Sequence, residues 1–457
     1  MKIQRHLSRA FCGFFLSLFA AISAALTATA APVGDGVTDD TAAIQEWLDT
    51  KTVVYLPPPP KHYLISKALR LRSGQTLRLD PGTIVRLADG ANDYMLVNAD
   101  TETGNARITV SGGIWDGNNA KNQSLKGPRN GRPWRDFYIG CAMVFTNVTR
   151  LRVENLTLKD PARFGLQLGA CRQFTVEGIT FDYNLRNPSM DGVHLQGGCS
   201  EGRVANLKGN TSDDMVALNS DDSEYYEITR GPIHDIQIDG LWATDCFRAV
   251  RFLTTGTPIR RVSISNIFGS FQRNVVAFTH WKPVPDGNSA RVEDITIANI
   301  HSAKFTEPTQ PTKRLRHNDM RRTFALIGAE GSLSLDNITI HGLNRREWMP
   351  KAAPTLRLQR GSVIGTLRLR DVQHVNMADT PLPFFINDAS IQRLFLDNVV
   401  VREKTAANAT STQPISGKGR IGHTHGEIHV ESTDELEQET LRVLNENKAA
   451  PTKELRL

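Results

Sequence analysis

Arg152-Val-Glu-Asn-Leu-Thr-Leu158 is followed by Thr175-Val-Glu-Gly-Ile-Thr-Phe181 and Arg203-Val-Ala-Asn-Leu207, and the same form returns far down the chain. Val262-Ser-Ile-Ser-Asn-Ile267, Ile295-Thr-Ile-Ala-Asn-Ile300, Leu333-Ser-Leu-Asp-Asn-Ile338 and Leu394-Phe-Leu-Asp-Asn-Val399 read alike. Each is a short alternating strand, a turn residue and a second short strand. Apolar residues at every second position mark strands with one buried face. Asn, Asp and Gly are the residues that tolerate the left-handed backbone of a tight turn. The turn residues fall at Asn155, Gly178, Asn206, Gly240, Asn266, Asn299, Asn337, Asp371 and Asn398, in steps of 23, 28, 34, 26, 33, 38, 34 and 27 residues. A floor in the low twenties with variable excess predicts an all-β, parallel β-helix. Each coil consumes three short strands, and insertions leave as loops. A β-sandwich would place turns about every 8–12 residues without this register.

Working outward, the sequence before the repeats predicts one amphipathic helix at Thr38–Thr50. Asp39 and Asp40 fall in its first turn, and Ala42, Ala43, Ile44, Trp47 and Leu48 form its apolar face. Such a helix would cap the open end of the β-helix. Upstream, Lys2, Arg5 and Arg9 precede an apolar run, Ala10 to Leu26, and a small-residue stretch ending Ala28-Thr29-Ala30. That is the pattern of a secretory signal peptide, and it is too short for a membrane anchor. The division expected is signal peptide 1–30, β-helix 31–403, and a polar C-terminal appendage 404–457 with one amphipathic candidate at Thr433–Asn447. The protein is expected to be secreted or periplasmic, off the membrane after signal removal, and monomeric.

Composition narrows the classes. The 457 residues are 40% hydrophobic and 22% charged, which excludes disorder throughout, collagen and coiled coil. Removing the first thirty residues lowers the net charge from +6 to +3, because they hold three basic residues and no acid. An exported chain this near neutrality is not expected to bind nucleic acid. Four cysteines remain, Cys141, Cys171, Cys199 and Cys246, too few for a disulfide scaffold. Cys171 and Cys199 open equivalent strands, as stacked thiols or as a bridge. No zinc-like cluster, P-loop or dinucleotide fingerprint occurs, so neither metal nor cofactor is expected.

The chemistry is sought where coils stack. Aligning Leu166/Leu168, Val193/Leu195, Val216/Leu218 and Val250/Phe252 as inward residues puts Asp191 one coil from Asp214, with Asp213 beside it. Three carboxylates in register suit glycoside hydrolysis, which needs one protonated acid and one ionised base. Crowded like charges cannot all ionise, so at least one must hold its proton at raised pH.

The opening Gly34-Asp-Gly-Val-Thr-Asp-Asp-Thr-Ala-Ala-Ile-Gln45 resembles the start of pectin-lyase-like proteins, which implies a right-handed parallel β-helix, and Val54-Tyr-Leu-Pro57 to Tyr63-Leu-Ile-Ser66 looks like their first coils. Ser189-Met-Asp-Gly192 and Ser212-Asp-Asp214, with Trp115-Asp-Gly117 and Asp160-Pro-Ala-Arg-Phe164 upstream, resemble glycoside hydrolase family 28, the polygalacturonases, over roughly residues 33–400. The resemblance implies inverting hydrolysis of a pectic or other uronate-rich polysaccharide. It implies Asp213 as general acid, and Asp191 with Asp214 as the pair that holds the nucleophilic water.

The family's Gly-His-Gly falls at Phe247-Arg248-Ala249, and its Arg-Ile-Lys at Ala277-Phe278-Thr279, so its usual cations are missing here. Residues 246–325 hold thirteen Lys/Arg against five Asp/Glu, and Arg248 and Arg251 are the candidates to grip a substrate carboxylate, or else they neutralise the Asp cluster or face solvent. His194 either lines the site or sits in an exposed turn. Arg129, Arg132, Trp134, Arg135 and Tyr138 could stack on and grip sugars, with Trp134 and Arg135 the leading pair. Asp221 and Asp222 read as a solvated acidic loop or a weak cation site. A uronate lyase or epimerase, and a glycan-binding module without catalysis, are the rival readings.

Overall fold

The computed structural model describes residues 31–123, 140–221, 228–280, 290–304, 324–347, 353–378, 380–404 and 413–434, together with 438 and 442. The expected signal peptide and the loop bearing Arg129, Arg132, Trp134, Arg135 and Tyr138 lie outside these residues. So do Asp222 and most of the proposed C-terminal helix.

The described chain is a parallel β-helix, every recorded strand pair being parallel. Early coils are built from separate short strands, such as Leu166–Gly169, Thr175–Glu177 and Thr180–Asp182. Beyond them the chain runs almost unbroken around each coil, as Ser200–Asn219, Ile233–Leu253 and Ile259–Thr279. Inward side chains form columns up the axis. Val262, Ile264 and Ile267 pair with Ile295, Ile297 and Ile300, and these with Ile338, Ile340 and Leu343, all of them buried. Burying each such side chain contributes about 1.5–3 kcal/mol. The inward register read from Leu166 to Phe252 is the one observed.

The turns explain the repeat. All nine turn residues singled out in the sequence have positive φ, from 52° at Asp371 and Asn398 to 70° at Gly240. Eight lie in one column. Asn337 belongs to the previous corner, with Asp235, Arg261 and Asp294, while Gly342 takes the place assigned to it. The sequence signal could not separate two corners that both demand left-handed backbone.

The capping helix spans Thr41–Thr50, three residues shorter at its start than expected, and buries Ile44 and Leu48 against the first coils. Asp39 and Asp40 therefore precede it instead of occupying its first turn. Asp40 is buried, and its carboxylate accepts from the amides of Val33 (2.6 Å), Gly34 (3.2 Å) and Leu64 (3.3 Å), tying the incoming chain to the end of the solenoid. At the other end, Ile415–Ser416, Arg420–His425 and Ile428–Ser432 pair in parallel with the preceding coils. The β-helix thus runs one coil past the boundary at 403, because a polar strand still satisfies its backbone on the coil below.

Candidate active site

Asp191 precedes Val193–Gln196, and Val193 pairs with Val216, so Asp191 and Asp214 are in register on adjacent coils. The Gly192 amide donates to the Asp214 carbonyl at 2.9 Å. Glycine is required after Asp191: a Cβ there would lie 2.5 Å from the Met215 carbonyl oxygen and 2.5 Å from the Phe181 ring. Neighbouring residues of a regular strand point to opposite faces. Asp213 and Asp214 escape that rule because the ladder slips between Thr211 and Asp214, and such an irregularity re-aims a side chain. Asp191, Asp213 and Asp214 consequently bring carboxylate oxygens within 4.8 Å of one another, all three residues buried.

Two guanidiniums from the next coil meet this charge. Arg248 Nη1 donates to Asp213 Oδ1 at 3.2 Å and to Asp214 Oδ1 at 2.8 Å. Arg251 Nη1 donates to Asp214 Oδ2 at 3.3 Å, and its Nε to Thr279 Oγ1 at 3.1 Å. Burial works against the Asp214 carboxylate, but the two arginines outweigh it and hold the group below its ordinary value. Asp191 differs. Burial, only partly offset by a hydrogen bond from His194, pushes it up to about 6. Its Oδ1 is buried without a hydrogen-bond partner. The cluster thus contains one raised and one lowered acid, set apart mainly by burial and by the two arginines and less by crowding of like charges.

His194 is buried, which removes the exposed-turn alternative. It faces outward in the alternation, but its ring stacks on Phe164 at 4.1 Å and its Nδ1–H donates to Asp191 Oδ2 at 2.6 Å. Gln196 and Asn219 side-chain amides each reach its Nε2 at 2.9 Å. These contacts hold the imidazole in place, two coils away from the position of the missing family histidine, where it orients Asp191. Phe164, Gln196, Asn219 and Thr279 carry no sequence signal for these parts, since their contacts arise only when coils stack.

Of the two readings of Arg248 and Arg251, the contacts favour partners of the acids. Both touch the protein's own carboxylates, and Arg248 is 1% exposed. The three aspartates have the spacing of a divalent-cation site, but the donor set does not fit one. Arg248, Arg251 and His194 already hold Asp213 Oδ1, both Asp214 oxygens and Asp191 Oδ2. Asp221 is buried, not solvated. Its carboxylate accepts from the amides of Thr255 (2.5 Å) and Thr257 (2.6 Å) and so shapes the next turn. Cys171 and Cys199 are stacked, buried free thiols, and burial pushes Cys171 up to about 12. A surface concavity of about 610 Å³ lies on another face, against Gln173, Arg203, Asp235 and Arg261.

Fold and cluster together define a parallel β-helix with a buried triad of acids. Residues 64–241 match the model of the family Glycosyl hydrolases family 28, so the family resemblance holds for the segment that carries all three aspartates; Arg248 and Arg251 lie beyond it. The polygalacturonase of Gossypium barbadense is 25% identical over 251 residues, 53% of this chain and 55% of that protein. Polygalacturonase-2 of Solanum lycopersicum is 24% identical over 208 residues, 45% of this chain and 40% of that one. The chain spans about half the length of the curated relatives it matches. Among solved structures, the exopolygalacturonase of Thermotoga maritima aligns at 11% identity and a TM-score of 0.49, covering 87% of this chain and 89% of that one.

Proposed function

We propose that the protein is an exported glycoside hydrolase acting on a pectic, uronate-rich polysaccharide, with Asp191, Asp213 and Asp214 as its acid–base machinery. The observation that carries this reading is the convergence of the three carboxylates within 4.8 Å inside the family-matched segment. One carboxyl protonates the departing oxygen while an ionised partner activates water. The resemblance assigns the acid to Asp213 and the water to Asp191 with Asp214. No cofactor takes part in these steps, and the working unit is taken as a monomer.

A second assignment is favoured by the electrostatics. Arg248 touches both Asp213 and Asp214, whereas Asp191 has no guanidinium and is pushed up to about 6. On this assignment Asp191 donates the proton and Asp214 activates water. Kinetics on two substrate types separates the two. Whichever of Asp213→Asn and Asp191→Asn spares activated aryl glycosides, while abolishing release of reducing ends from polygalacturonate, has removed the acid, because an activated group leaves unaided. Loss of both activities in both variants would leave neither residue as the donor.

Inverting enzymes usually hold acid and base about 6.5–9.5 Å apart. These carboxylate oxygens are closer, so inversion is taken from the family resemblance, and the anomer of the fresh product, read by NMR, decides it. The lyase or epimerase reading needs a free cation and base at the acids, and Arg248 is already committed to Asp213 and Asp214. Failure of native protein to release reducing ends from any uronate polymer would favour a binding module instead.

A further inference from the structure

Among the described residues, the cations at the cluster, Arg248 and Arg251, are engaged by Asp213 and Asp214. The same face of the β-helix supplies another. Ala217, Arg251, Ala277, Gly328 and Arg357 occupy one register column on successive coils. Past Arg251 the small side chains of Ala277 and Gly328 leave a cavity of about 230 Å³, walled by Asn274, Phe324, Gly328, Glu330, Arg357 and Gln359. Asn274 lies two coils from Asp214 and Gly328 three coils from Ala217. At about 4.8 Å per coil this places the cavity about 10–14 Å along the axis from the acids.

Its wall is polar and under-satisfied. Asn274 Oδ1, Glu330 Oε1 and Arg357 Nε are buried with no hydrogen-bond partner. Buried polar atoms are ordinarily paired, and three orphans on one cavity wall call for a ligand rich in hydroxyls. The Arg357 side chain is 38% exposed, and its Nη2 stands 3.9 Å from Asp388 Oδ2, beyond hydrogen-bond reach. Gly328 keeps the space open: a Cβ there would meet Asn274 Nδ2 at 3.3 Å. The far wall is rigid. Arg273 lies over the Phe324 ring at 3.8 Å and pairs with Glu330 Oε2 at 2.6 Å. Phe247 lies between Arg273 (5.8 Å) and Arg248 (4.7 Å), so one cation–aromatic stack joins the cavity to the acidic cluster.

We infer that this cavity is a remote subsite that binds an acidic sugar residue of the polymer chain being cleaved, its carboxylate on Arg357 and its hydroxyls on Asn274 and Glu330. The ligand class rests on the hydrolase reading above; the cavity and its orphaned atoms do not. The test is calorimetric titration of the Asp213→Asn protein with oligogalacturonides, a trimer and an octamer, and with a neutral galactan octamer. The acidic octamer should bind about tenfold or more tighter than the trimer. Arg357→Gln should weaken octamer binding about 10- to 150-fold, the range of a lost charge-assisted hydrogen bond, and erase its advantage over the trimer. Gly328→Leu, which fills the cavity and removes no charge, should do the same and covers the case in which Arg357→Gln does not fold. Unchanged octamer affinity in a folded variant overturns the subsite, and so does equal binding of the neutral octamer. Absence of turnover by native protein, with this binding pattern intact, would sink the hydrolase reading alone.

Discussion

Asp191 and Arg248 show how a buried charge is either tolerated or refused. Asp191 is pushed up to about 6, mainly by burial, so the folded protein keeps a proton that the unfolded chain releases near pH 4. Between those values the unfolded state binds fewer protons, and stability must fall as pH rises. Asp191→Asn cannot ionise, so its stability relative to the native protein should improve from pH 4 to pH 7, by on the order of 1–3 kcal/mol. Denaturant melts at the two pH values check it, and a constant difference would mean that Asp191 is ionised throughout. Arg248 is the converse case. Its removal leaves Asp213 and Asp214 short of their cation, and losing one partner of a buried pair costs about 3–5 kcal/mol. Arg248→Met should lower the unfolding midpoint accordingly, with Arg248→Lys in between because it keeps the charge and loses the fork. A melt unchanged in Arg248→Met would show that the acids do not depend on it.

At the scale of the strand and turn, the corner column is the device that makes coils repeat. Asn266, at φ 58°, donates to Asp239 Oδ1 at 2.7 Å and accepts from Asn299 at 3.2 Å, so each turn is tied to those above and below. A β-branched residue resists the left-handed region, at a cost of roughly 1–2 kcal/mol, and would lose both hydrogen bonds. Asn266→Val should therefore destabilise by about 2 kcal/mol or more, and Asn266→Gly by less, because glycine keeps the backbone. Equal losses in the two variants, measured by thermal unfolding, would show that the side-chain ladder alone matters. The exposed column Trp242, Phe268 and His301 is a similar device on another face, its rings stacked at 5.8 and 5.4 Å. Those ring faces are spent on one another, which argues for a stabilising ladder there.

Over the whole molecule, the solenoid turns sequence distance into axial distance. Residues 191, 214, 248 and 274 become neighbours on one face because each coil returns the chain to the same column. A long glycan lying along that face would meet the acids first and the Arg357 cavity several coils later. The helix Thr41–Thr50 closes one end, with Ile44 and Leu48 covering the first coils. Among the described residues no helix is long and apolar enough to cross a membrane.

The sequence by itself determined the fold and the identity of the acids. Alternation and left-handed turn residues are local demands, and they recur coil after coil, so nine turns and the Asp191–Asp214 register could be read without coordinates. It could not tell Asn337 from Gly342, because both meet the same local demand at different corners. Nor could it decide which charges find each other. Arg248 and Arg251 read equally as substrate cations or as partners of the acids until the coils stack, and His194 as lining the site or exposed until Phe164 covers it. Those outcomes depend on contacts between residues one or more coils apart, where burial and low dielectric multiply small differences in placement. Tertiary structure alone therefore decided that burial raises Asp191 while Arg248 and Arg251 lower Asp214, that Arg248 pairs with Asp213 and Asp214, and that Arg357 lines a cavity further along the same face.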